Sequence, residues 1–256
     1  MKNIGTKLAA VAIALCASAA PSFAGKGGSA QLIQQAIASG SQDAIIAEVE
    51  RTEGLICEDC VAAVTSLLGS DNYKLREVAG WWYAKRPVLL QSMLVTMKSD
   101  LVNGDSVHVR NAADFIGSAG QQSSLPALRA AYTRGGLSVD ARLAIVRSIG
   151  VLANRGGNST LVAAMGDSDA SVRALAVRAW RDMRGQTTAA PVEALLGDAD
   201  ANVRAQAVAV VGAYRDTNVV SVLQQLVQND QDYFVRHNAQ WALGRMGQTT
   251  PAATTK

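Results

Sequence analysis

The stretch "DSDASVRALAVRAW", Asp167–Trp180, reads on its own as one amphipathic helix behind an acidic lead-in. The chain then writes "DADANVRAQAVAVV" from Asp198 and "DQDYFVRHNAQWAL" from Asp230. Aligned on one arginine, the phrase recurs six times, at Arg76, Arg110, Arg142, Arg173, Arg204 and Arg236, with spacings of 34, 32, 31, 31 and 32 residues. Leu75, Val109, Val172, Val203 and Val235 precede five of them, and Ala79, Ala113, Ala176, Ala207 and Ala239 follow three residues later. The third copy departs from this with Ile145. Asp71, Asp105, Asp169, Asp200 and Asp232 stand a few residues upstream of their arginines. Self-similarity with a period between about 20 and 50 residues is the mark of a stacked solenoid.

Each period divides into two helices. Val172, Leu175, Ala176 and Ala179 form the i, i+3, i+4, i+7 stripe of a helix buried on one side. A second apolar segment, such as "PVEALL" or "VVSVLQQLV", precedes the acidic turn. In that turn aspartate can accept from the free N–H groups of the helix start. Connectors with "GG", "GN" or "GQTT" end the second helix. No strand-period alternation persists.

The phrases "VRAQAVAVVG" (Val203–Gly212) and "VRHNAQWALG" (Val235–Gly244) resemble the HEAT-like repeat of the phycobilisome-lyase type, an acidic turn followed by Val-Arg, Ala and a terminal Gly. The resemblance implies an all-α, right-handed superhelix of about six two-helix repeats over residues 57–247. Residues 29–56 read as an N-terminal helical cap that covers the end of the stack, and 248–256 as a loose polar tail. The resemblance is specific for fold and weak for function, because such repeats serve enzymes, assembly factors and scaffolds alike. One branch carries iron through repeated His-Glu pairs, which this sequence lacks altogether. No residue identifies bilin-lyase chemistry.

The opening "MKNIGTKLAAVAIALCASAAPSFAG" has a basic start, an apolar run over 8–20 and Ser22-Phe23-Ala24, the pattern of a secretory signal peptide over 1–24, cut after Ala24. The run is shorter than the roughly twenty residues of a spanning helix. Loss of Lys2 and Lys7 with the leader lowers the formal charge from +3 to about +1. A near-neutral body lacks the basic footprint of a nucleic-acid binder. The expected product is an exported protein, periplasmic or extracellular, without membrane insertion.

Only Cys57 and Cys60 then remain, in "GLICEDCV". Export favours a disulfide, although by the chain-entropy account so short a loop adds only about 2 kcal/mol. Covalent haem needs His after the second cysteine, where Val61 stands. Zinc needs two further ligands, and His108 and His237 fall in other repeats. A redox-active pair stays open, opposed by Glu58 and Asp59 between the thiols. We expect no catalytic residue, metal or cofactor.

The recurring arginines admit two readings, a cationic ladder for an anionic partner or a set of struts pairing with the acidic turns; the co-travelling aspartates favour the struts. If the arginine and its +3 position face the core, the +5 and +1 columns face out. By the resemblance, the second helices line the concave face. The +5 column is Trp81, Phe115, Arg147, Arg178, Ala209 and Trp241, and the +1 column ends in His237. Aromatics with arginines are the mix enriched at binding hot spots. Trp81, Phe115, Arg147, Arg178, Trp241 and His237 are therefore the expected contacts for a protein or peptide partner. The competing reading turns the aromatics into crevices between repeats.

Overall fold

The computed structural model describes residues 29–249, so the leader lies outside the described residues. Among them there is no strand. Two helices open the chain, α1 (Ala30–Ser39) and α2 (Gln42–Arg51). Six pairs follow: α3 (Cys60–Leu67) with α4 (Tyr73–Ala84), α5 (Pro87–Asn103) with α6 (Ser106–Ser118), and α7 (Leu125–Arg134) with α8 (Val139–Leu152). Next come α9 (Asn158–Met165) with α10 (Ala170–Asp182), a 3-10 segment (Ala190–Gly197) with α11 (Ala201–Tyr214), and α12 (Val220–Asn229) with α13 (Tyr233–Arg245). Each second helix carries one repeat arginine. The molecule is an all-α solenoid of the expected period. The N-terminal pair stacks as one more unit, α1 against α3 and α2 against α4.

The 3-10 segment corrects the expectation of an α-helix over "PVEALL".

The helix starts are set by the turns. Asp105, Asp169, Asp200 and Asp232 are N-caps, each accepting from two backbone N–H groups. In the first copy Asn72, not Asp71, caps α4, and in the third Ser138 caps α8. Two second helices end on non-glycine residues with positive φ, Ala153 at 48° and Arg215 at 53°.

The second helices pack against one another in chain order, α2 through α13, and the first helices touch their neighbours more sparingly. Small residues permit the close approach. A Cβ on Gly117 would lie 2.6 Å from Ser148 Oγ, and one on Gly212 would lie 2.8 Å from Ala242 Cβ. Ser148 Oγ also donates across the joint to the Ala113 carbonyl at 2.6 Å. Across this tighter layer the Arg147 guanidinium of α8 comes to 4.2 Å from the Tyr73 ring of α4, over α6 between them in the stack.

Candidate functional site

The arginine ladder is a set of struts. Arg173 donates from Nε and Nη2 to both oxygens of Asp198 at 2.8 Å, while its Nη1 donates to the carbonyls of Asp167 and Ser168 in its own turn. Arg204 repeats this with Asp230 at 2.8 Å, and Arg142 with Asp167 at 2.9 and 3.1 Å. The acceptor is the first aspartate of the next repeat's turn, and the second aspartate caps the helix. Bidentate pairing of this kind fixes geometry as well as charge.

The carboxylates respond accordingly. The Arg173 hydrogen bonds hold Asp198 below the usual carboxylate range against the opposing effect of burial. Burial pushes Asp167 and Asp230 upward, but the Asp169 and Asp232 backbone N–H groups and the arginines outweigh it, so both are lowered. Tyr132 helps at Asp167, donating its hydroxyl to Oδ2 at 2.7 Å.

The second copy breaks the pattern. Arg110 reaches back to the exposed Asp71 at 3.0 Å. Arg76 turns instead to Asp114, placing Nε and Nη2 on Oδ2 at 2.8 and 2.7 Å. Arg147 takes the other oxygen at 2.6 Å. Asp114 is buried, so one carboxylate serves two guanidiniums and the cluster keeps one net positive charge. Sequence reasoning missed Asp114. Its signal was a departure from register: Val146, Val177 and Val208 hold the corresponding position in three other copies.

Two adjacent hollows open on the second-helix face and share Val151, which is exposed. One, of about 300 Å³, is lined by Tyr73, Arg147, Val151, Leu175, Arg178 and Asp182. The other, of about 380 Å³, is lined by Ile46, Glu50, Lys74, Glu77, Trp81 and Val151. Three of the six expected contact residues, Trp81, Arg147 and Arg178, therefore meet along α4, α8 and α10. Arg147 is held from beneath by Asp114 and stacked on Tyr73, while Arg178 is exposed.

The other three part company. Phe115 corrects the expectation: it is fully buried, edge to face with Tyr83 at 5.5 Å. The cause is the position of α6, which α4 and α8 close over, so its +5 position faces packing rather than solvent. Trp241 and His237 lie at the far end of the stack on α13. Trp241 is 46% exposed, with Arg245 5.3 Å from its ring, and His237 stacks on Tyr233 at 5.9 Å. The three aromatics do not form one surface. Trp82, next to Trp81, is buried and donates Nε1–H to Thr52 Oγ1 at 2.8 Å.

Cys57 and Cys60 are joined by a disulfide. Cys60 opens α3 and is buried, while Cys57 is half-buried at the edge of an apolar hollow of about 520 Å³ lined by Ile56, Val61, Arg86, Val88 and Leu89. This hollow lies at the starts of α3 and α5, in the first-helix layer. Among the described residues no group of three or more His, Cys, Asp or Glu gathers as a metal site. No helix there is long and apolar enough to cross a membrane.

With period, struts and hollows in place, the class is a HEAT-like helical solenoid. Residues 188–256 match the sequence model of the family described as HEAT repeats. The fold is similar to the crystal structure of YibA from Escherichia coli, with a TM-score of 0.56 and 15% identity, over 84% of this chain and 81% of that one. At that identity the likeness concerns the fold alone. Among curated proteins, none matches this sequence.

Proposed function

We propose that this protein is a non-enzymatic binding solenoid, a scaffold or assembly factor that holds a protein or peptide partner along its second-helix face. The observation that carries the reading is the pair of hollows sharing Val151, where Trp81, Arg147 and Arg178 stand together on a rigid stack. Aromatic and arginine side chains on a pre-organised surface are suited to anchoring a polypeptide. The leader pattern over 1–24 places this work outside the cytoplasm in our reading. The test is affinity capture from an envelope extract with residues 25–256, against a control carrying Trp81→Ala and Arg178→Glu. A partner held by the native chain and lost by an equally helical control supports the reading. Equal capture by both removes the face.

A second reading rests on Cys57, which lies at the edge of the apolar hollow while Cys60 is buried behind it. There a substrate thiolate would attack Cys57 Sγ and expel the Cys60 thiolate, and a second substrate thiol would complete the exchange. A Cys60→Ser chain that forms no mixed disulfide with a reduced, unfolded cysteine-containing polypeptide after thiol activation would end this reading.

A further inference from the structure

Two features recur at joints between the later repeats, and the last helix of the stack carries both with nothing set against them among the described residues. The first is the arginine fork. Arg142, Arg173 and Arg204 each present Nε and Nη2 to an aspartate of the following repeat. Arg236 is held in the same pose, with Nη1 donating to the Asp230 and Gln231 carbonyls at 2.8 and 3.0 Å. Its Nε–Nη2 edge meets no acidic partner among the described residues.

The second, present at the joints after Arg142 and Arg204 while the Arg173 copy carries Arg181 there, is a glycine eight residues after the arginine. A Cβ on Gly150 would lie 3.0 Å from Ala179 Cβ of the next second helix, and one on Gly212 would lie 2.8 Å from Ala242 Cβ. Gly244 occupies the same place after Arg236, and among the described residues a Cβ there meets nothing within 4 Å. At the opposite end of the same helix, beside Arg236, Tyr233 and Phe234 are 62% and 68% exposed, at positions where earlier repeats carry Ala170 and Ser171 or Ala201 and Asn202. A solenoid end usually turns a polar face to solvent; this one keeps the fittings of an internal joint.

We propose that the C-terminal end of the stack, Arg236 with Gly244 and Tyr233, is a docking site for a further HEAT-like helix pair supplied by another polypeptide. The chemistry of the occupant follows from the joint itself. It offers an aspartate at the turn before its second helix, to take the Arg236 fork, and a small residue about ten positions after that helix begins, to lie on Gly244. The N-terminal end of this same chain does not fit. In the register of its cap, Ser39 stands where the aspartate is needed and Arg51 where the alanine is needed. The occupant is therefore not a second copy stacked head to tail. The site is independent of the hollows on the second-helix face.

The test uses the full exported chain and, as probe, a synthetic peptide with the sequence of residues 217–247, which carries Asp230 and Ala242. Amide NMR shifts at Tyr233, Arg236 and Gly244 are expected on titration, and binding at least tenfold weaker with Arg236→Gln, with Gly244→Leu, or with an Asp230→Asn peptide. Gly244→Leu is expected to leave the free chain's melting temperature unchanged, because its side chain meets open space. Because a short helix pair must fold as it binds, a second measurement appends a copy of residues 217–247 after Gly247. The appended pair should be protected from hydrogen exchange, and Arg236→Gln should abolish that protection. Failure of both peptide and appended pair to engage overturns the proposal, as does engagement indifferent to Arg236 and Gly244. Self-association lost with Gly244→Leu would give the face to a second copy and overturn it too. So would protection of the Arg236 Nε proton that disappears on removing residues 248–256.

Discussion

At the scale of single residues, the arginines divide by what stands opposite them. Arg76 is almost wholly buried and depends on Asp114, which also serves Arg147 at the rim. Removing the shared carboxylate strands a buried cation, which typically costs about 3–5 kcal/mol, whereas removing the rim partner leaves the buried pair intact. Asp114→Ala should therefore lower unfolding stability in urea by several kcal/mol and Arg147→Gln by clearly less; equal losses would show that Asp114 is not the keystone of the cluster. The strut aspartates carry a pH signature. Asp167, Asp198 and Asp230 all titrate below the usual carboxylate range when folded. Between the folded values and the unfolded reference near about 4, the unfolded chain binds more protons, so stability rises with pH across that window. Their contribution is full above about pH 5 and is lost as pH falls through the lowered values. Melting temperatures measured from pH 6 to pH 2.5 should stay level to about pH 5 and then drop, and Asp198→Asn should shallow the drop. The arginine–aspartate pairing itself was legible in the sequence, because the acids travel with the arginines. Which aspartate of each turn does which task was not, since only two positions separate the strut aspartate from the capping one, as at Asp198 and Asp200.

At the scale of helices, the period and the six-fold pairing followed from spacing, while the capping residue varied with each turn, from Asn72 and Ser138 to the aspartates of the other four. Five of the six repeat arginines are followed three residues later by an alanine, small enough to let second helices approach. Those alanines are buried, but the tightest joints use glycines later in the helix, at Gly80, Gly117, Gly150 and Gly212. A sequence read one repeat at a time shows which face is apolar and not which neighbour presses hardest on it. The same limit hid Phe115, whose burial depends on α4 and α8 closing over α6. Gly117→Val should be among the most damaging changes in the chain. Its side chain would meet the Ser148 backbone and side chain, with Cα only 2.9 Å from the new Cβ, and helix backbones cannot yield as a flexible side chain can. A loss of about 2–4 kcal/mol in chemical denaturation is expected, with Gly244→Val near zero as the control, since nothing lies against that glycine.

At the scale of the whole molecule, stability is a chain of nearest-neighbour terms, because each second helix packs on the one before and the one after. Struts then act as local couplers rather than global ones. Asp230 is the only carboxylate that Arg204 reaches among the described residues, and the pair joins the last repeat to the rest. Asp230→Asn weakens that coupler while keeping an acceptor for the Asp232 backbone N–H, which now bonds Asp230 at 2.9 Å. The effect should be confined. In native-state hydrogen exchange, amides of α12 and α13 should lose protection by about 1–3 kcal/mol, while those of α4 and α6 keep theirs. If all helices lost protection together, the stack would fold as one cooperative unit, and the nearest-neighbour description would fail. Confinement would instead mean that the C-terminal pair can open and reclose without disturbing the hollows that Trp81, Arg147 and Arg178 line. The free end and the second-helix face would then be energetically separable.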